Sequence, residues 1–169
     1  MTGLRLPPFR IIHAAYVASD FEAGKRRLAA LFGADSFQLL FDVPIPVPGG
    51  EALINVAVAD VNGVTLEIIQ PAGGKDHVYR QVLPDDPEDI AFHHFATRID
   101  SEAEWDLANA AATSHGLDMP VWAEADPGAS YLYLDTRPQL GHMLEFLWFR
   151  GQGAEAAIFD SATSEGPFG

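Results

Sequence analysis

The sequence contains no cysteine. That excludes disulfides, thiolate zinc sites, iron–sulfur clusters and a cysteine nucleophile together. Basic residues are scarce: 10 Lys and Arg stand against 24 Asp and Glu, a formal net charge of −14. A surface of that sign repels phosphate backbones and anionic headgroups, so neither a nucleic acid nor a membrane is an expected partner. No apolar run approaches the roughly 18 residues of a membrane-spanning helix. The opening MTGLRLPPFR lacks the apolar stretch and small-residue cleavage site of a secretory signal, and a cytoplasmic protein is the expectation. Apolar side chains are plentiful, at 48% of 169 residues with 20% charged. That balance belongs to a single globular domain, and a chain of this length hides roughly 70% of its unfolded surface.

The chain repeats itself. Ile11 to Ala18 (IIHAAYVA) reads as a strand, and Ser19-Asp20 offers an N-cap. FEAGKRRLAALFG follows as a helix, with apolar residues at Phe21, Leu28, Leu31 and Phe32 and a stop at Gly33. Phe37 to Val43 is a strand candidate, and Pro44 to Gly50 is read as a loop or an edge. Leu53 to Ala59 and Val64 to Ile69 form a hairpin about Asn62-Gly63. After a polar, proline-bearing connector from Pro71 to Glu88, the order recurs. Ala91 to Ile99 is a strand. Asp100 or Ser101 caps the helix SEAEWDLANAAATSHG. Met119 to Ala123, Tyr131 to Asp135 and His142 to Phe149 supply three further strands. Each half reads β-α-β-β-β, which predicts an α+β domain of two modules, about 11–70 and 90–150. Residues 1–10 read as an N-terminal arm and 151–169 as a flexible tail.

Polar residues recur at matched places in the two halves. His13 and His94 lie on the first strand of each half, and Glu67 and Glu145 on the last. The separation is 54 residues in the first half (13 to 67) and 51 in the second (94 to 145). Strand side chains alternate between faces. His13 shares a face with Ala15 and Val17, Glu67 with Thr65 and Ile69, and Glu145 with Met143 and Leu147. A carboxylate buried alone in VTLEII or HMLEFLW costs several kcal/mol. Two carboxylates and two imidazoles meeting at a shared axis call for a positive centre, and one divalent ion neutralises them. Zn, Ni, Co, Mn and Fe(II) all suit mixed nitrogen and oxygen ligands.

IIHAAYVASDFEAGKRRLAALFG, VTLEIIQP, FHHFATRID and YLYLDTRPQLGHMLEFLW, in that order and spacing, resemble the vicinal oxygen chelate superfamily. That superfamily includes glyoxalase I, methylmalonyl-CoA epimerase, extradiol dioxygenases and bleomycin-resistance proteins. The resemblance spans about residues 11–150. It implies two βαβββ modules whose sheets curl into a cup around a metal, with His13, Glu67, His94 and Glu145 as ligands. It selects His94 over His93; alternation along the strand requires only that one of the two face inward. It also implies a homodimer.

The same resemblance implies a metal that holds two neighbouring oxygens of a small-molecule substrate and stabilises an enolate when a proton leaves the adjacent carbon. Glu67 and Glu145 are the candidate bases. Arg98, on the face of His94, and Tyr131 and Tyr133, on one face of their strand, are the candidate substrate-binding residues. The expected activity is a divalent-metal-dependent isomerase or lyase of the glyoxalase or epimerase type. Val17 and Pro71 stand where glutathione-dependent glyoxalases commonly carry arginine and asparagine, which argues against the ordinary glutathione reaction. One alternative is an extradiol dioxygenase, for which His13, His94 and Glu145 suffice and Glu67 is surplus. Another is a non-catalytic antibiotic-sequestering protein, which has no use for the quartet.

Overall fold

Both halves fold as βαβββ, with a short extra helix added to each. A computed structural model describes residues 5–125 and 128–150. The first module comprises β1 (Ile11–Val17), α1 (Phe21–Phe32), β2 (Gln38–Val47), β3 (Gly50–Val61), β4 (Val64–Gly74) and α2 (His77–Arg80). The second comprises β5 (Ala91–Ile99), α3 (Glu102–His115), β6 (Val121–Ala123), β7 (Gly128–Leu134), α4 (Arg137–Leu140) and β8 (Met143–Arg150). The expected tail at 151–169 lies outside the described residues. None of the described helices is long and apolar enough to cross a membrane.

The strands form one sheet in the order β2-β3-β4-β1-β5-β8-β7-β6. Strand β1 runs parallel to β4, and β5 runs parallel to β8. The modules join where β1 meets β5 antiparallel. The seam therefore relates the halves by an approximate two-fold axis, and the four central strands are β4, β1, β5 and β8. Edge strands β2 and β6 come together, so the sheet curls into a cup.

The sheet has a helix-covered outer face and an enclosed inner one. Outside, Phe21, Ala23, Gly24 and Leu28 of α1 are buried in a cluster where Ala14, Ala57, Leu66 and Ile68 meet Phe21 and Leu28. Trp105, Ala108, Ala111 and Ala112 of α3 pack with Leu132, Leu144 and Phe146. Inside, Ala15, Val17, Ile54, Val56, Ile69, Tyr133 and Met143 share one apolar cluster. The alternation read from the sequence thus assigns the faces of β1, β4 and β8 correctly.

Local chemistry sets the element ends. The Asp20 side chain accepts from the Ala23 amide at 2.8 Å, and Gly33 closes α1 in the left-handed conformation at φ 77°. Ser101 and Gly116 do the same for α3. Asn62 and Gly63, at φ 55° and 81°, turn the β3–β4 hairpin.

Pro44 to Val47, read as a loop or an edge, belong to β2, an edge strand, where a missing proline N–H costs no ladder bond. Two other segments differ from the sequence expectation. The segment after Pro71 is no simple polar connector. Strand β4 continues to Gly74, and α2 buries Val78 and Tyr79. Leu31 and Phe32 stay exposed, at 61% and 41%, because they lie in the last turn of α1, beyond the part that Phe21, Ala23, Gly24 and Leu28 seat closely on the sheet.

Gly24 permits that close seating. A Cβ there would lie 2.9 Å from the Ala18 Cβ and 3.0 Å from the Ile68 Cγ2. Alanine gains up to about 1 kcal/mol in helix propensity, but forcing a methyl into a packed core costs about 1–3 kcal/mol. Gly24→Ala is therefore expected to lower stability in denaturant unfolding, against the helix-propensity trend; a stabilised variant would contradict this packing.

Candidate functional site

The four central strands carry one ligand-type side chain each, in the spatial order Glu67, His13, His94, Glu145. Register brings them level. Ala15 lies opposite Glu67 on one side and His94 on the other, and Ala96 lies opposite Glu145. All four point into the cup. The His13 Nε2 is 3.2 Å from the His94 Nε2, 3.2 Å from a Glu145 oxygen and 3.5 Å from a Glu67 oxygen. The His94 Nε2 is 3.0 Å from the same Glu145 oxygen and 3.9 Å from Glu67. Ligand atoms of His13, Glu67 and His94 all lie within 4.8 Å of one another.

The His13, Glu67 and His94 donors could hold a metal ion. With ligand bonds of about 2.1 Å, neighbouring donors stand about 3.0 Å apart in an octahedron and about 3.4 Å apart in a tetrahedron. The donor set also carries the charge that neutralises a dication.

Without an ion the quartet is held by proton sharing. Burial works to lower the His13 pKa, but the carboxylates of Glu67 and Glu145 outweigh it and raise the pKa to about 9. Burial works to raise the Glu145 pKa, but His94 and His13 pull it down to about 2.

Strand β5 contains a bulge here. Ala15 pairs with His94 while Tyr16 pairs with Phe92, so His93 is the extra residue. Sequence alternation allowed only one of His93 and His94 to face inward; the bulge turns both into the interior. His93 is 1% exposed and stacks on Tyr79 with ring centroids 5.1 Å apart. Its Nδ1 lies 2.8 Å from the His94 Nδ1, and its Nε2 lies 3.1 Å from the Val78 carbonyl oxygen. Burial and the adjacent His94 lower its pKa to about 3, so it is neutral at ordinary pH.

Tyr133 packs its ring 4.8 Å from His94, and Tyr131 packs against the same inner cluster. Burial raises the pKa of both phenols, with Glu145 adding to it, to about 12 at Tyr131. Both remain protonated donors. Arg98 donates to Asp100 at 2.7 Å with its side chain 47% exposed. His142 is half-buried and packs outside the cup against Phe92 and Phe95. Tyr79 was not visible as a site residue, because α2 lay in an apparent connector. It is fully buried, with its hydroxyl beside that of Tyr133.

The ion-free protein should show the quartet in its pH dependence. His13 binds its proton more tightly when folded, so its stabilising effect is complete below about pH 6.5 and is lost as pH rises through about 9. Glu145 does the reverse: its effect is complete above about pH 4.5 and is lost as pH falls through about 2. In chelator, the melting temperature is expected to fall from about pH 6.5 towards pH 9. His13→Asn should flatten that limb; an unchanged alkaline limb in the variant would refute the assignment.

No family model matches the chain, and no curated protein sequence matches it. Solved structures do. The methylmalonyl-CoA epimerase of Mycobacterium tuberculosis is similar over 92% of this chain and 97% of its own, with TM-score 0.54 and 12% identity. A variant of the Streptomyces coelicolor methylmalonyl-CoA epimerase, in complex with 2-nitronate-propionyl-CoA, is similar over 85% of this chain and 99% of its own, with TM-score 0.52 and 14% identity. A hypothetical protein from Bacillus halodurans C-125 is similar over 86% of this chain and 97% of its own, with TM-score 0.51 and 17% identity. The likeness establishes the fold: the paired βαβββ modules of this chain form the same α+β cup as these structures.

Proposed function

We propose that His13, Glu67, His94 and Glu145 hold one divalent metal ion, and that the protein is an isomerase or lyase acting on carbon next to a carbonyl. The observation that carries this reading is the meeting of two imidazoles and two carboxylates at 3.0–3.9 Å on the seam between the modules. When bound, the ion supplies Lewis acidity to two neighbouring oxygens of a substrate, favouring its enolate form.

The chain's own residues supply the remainder. Glu67 and Glu145 stand at opposite ends of the row of four strands. One carboxylate takes the proton from the carbon beside the carbonyl, and the other returns one from the opposite side. Glu145 is held by both histidines, whereas Glu67 approaches them only to 3.5 and 3.9 Å and is the less restrained. Tyr131 and Tyr133 form the wall on the β7 side. Arg98, engaged with Asp100 at the surface, is left out of this reading.

The structural likeness to methylmalonyl-CoA epimerases supports an epimerase-type proton transfer. The net charge of −14 favours a substrate without a polyphosphate handle, so a small acyl compound with adjacent oxygens fits the surface best. A ring-cleaving dioxygenase needs two histidines and one carboxylate with open metal positions; the second carboxylate beside both histidines disfavours it. A protein that only sequesters a ligand has no use for the quartet. A homodimer in the cell interior remains the working picture for its assembly.

Metal analysis and solvent exchange test the reading. Wild type is expected to bind about one divalent ion per chain, and Ala at any of the four positions should weaken binding by roughly 10-fold or more. The loaded protein should exchange the hydrogen α to the carbonyl of a 2-oxo or thioester substrate into deuterated water. Glu67→Gln and Glu145→Gln should each slow that exchange by roughly 100-fold or more. Wild type free of metal after incubation with zinc, cobalt, nickel or manganese would overturn the proposal.

A further inference from the structure

We infer that His93 fixes the tautomer of His94 and so keeps the His94 Nε2 lone pair facing the quartet. This rests on His94 being a metal ligand, as proposed above, and assigns His93 the part of a positioning residue.

The hydrogen bonds run in one direction. The Val78 carbonyl oxygen can only accept, so the His93 Nε2 at 3.1 Å must carry the hydrogen. His93 is 1% exposed, lies between the Tyr79 and Tyr133 rings, and has no carboxylate among its hydrogen-bond partners. Charging it there would bury an uncompensated cation. A neutral ring with hydrogen on Nε2 leaves Nδ1 as an acceptor. The His94 Nδ1, 2.8 Å away, must then donate. With its hydrogen fixed on Nδ1, His94 leaves Nε2, 3.2 Å from the His13 Nε2 and 3.0 Å from Glu145, as the nitrogen that a metal ion would take. The opposite tautomer would set two acceptors face to face at Nδ1 and close Nε2 to a metal.

The bulge is what makes the relay possible. It seats the extra residue of β5 behind the ligand rather than on the outer face. The relay ends on Val78 of α2, so the four-residue helix that covers this side of the cup also anchors the ligand's orientation.

Long-range 15N correlation spectra of chelator-treated wild type test the tautomer without any metal. His94 is expected to show a protonated Nδ1, and His93 a protonated Nε2 with an unprotonated Nδ1. Zinc titration by calorimetry then tests the consequence. His93→Phe keeps a stacked ring but offers no acceptor, and should weaken zinc binding by roughly 10- to 100-fold. His93→Asn returns an acceptor near the Nδ1 position and should recover most of that loss. A protonated Nε2 on neutral His94 would overturn the inference, as would a folded His93→Phe variant binding zinc like wild type. If wild type shows the assigned tautomers but takes up no zinc, the relay stands and the metal reading fails.

Discussion

Two carboxylates are held inside an apolar cup, and everything around them answers to that cost. Glu145 is 6% exposed. Moving such a group from water costs several kcal/mol unless a cation, a donor or a proton offsets it. Both histidines approach it at hydrogen-bond distance, and His13 takes up a proton in response. That solution is a compromise. It ties up the proton-accepting capacity of an imidazole and a carboxylate together, and it leaves Glu67 at 3.5 Å or more from any imidazole nitrogen of the quartet. In the reading proposed above, one dication would satisfy all four groups at once. The fold makes the arrangement possible because the antiparallel seam of β1 and β5 sets the two modules back to back, with their ligand strands innermost.

The quartet was legible in the sequence because it depends on two simple regularities. A period of two along each strand assigns a face, and a repeat assigns an equivalent place in each half. His13, Glu67 and Glu145 sit in strands whose alternation persists into the structure, with Ala15, Ile69 and Met143 on the same inner face. The caps at Asp20, Ser101, Gly33 and Gly116 were legible for a similar reason: they act within a few residues of chain.

What was hidden is non-local or breaks the period. At His93 the bulge inserts one residue, and alternation cannot anticipate an insertion whose cause lies in the pairing with β1. Tyr79 sits in a stretch flanked by Gly73, Gly74, Pro84 and a run of acids, which reads as a connector. Only the folded chain lays Val78 and Tyr79 into the cup. The prolines of β2 were read as a loop or an edge, and an edge strand is what forms. They mark a segment unfit for a central strand, and the edge position that tolerates them is a property of the whole sheet.

The approximate two-fold symmetry is broken where function would break it. In the second module, His94 has no exposed surface and is packed by His93 and Tyr133, while the Glu145 side chain is 8% exposed. In the first module, His13 and Glu67 are each 16% exposed. One half of the quartet is thus clamped by aromatic rings and a relay to Val78, and the other half faces the opening. A ligand that exchanges with solvent meets the His13 and Glu67 side first. On the metal reading proposed above, the clamped donors would anchor the ion and the more exposed pair would admit a substrate's oxygens.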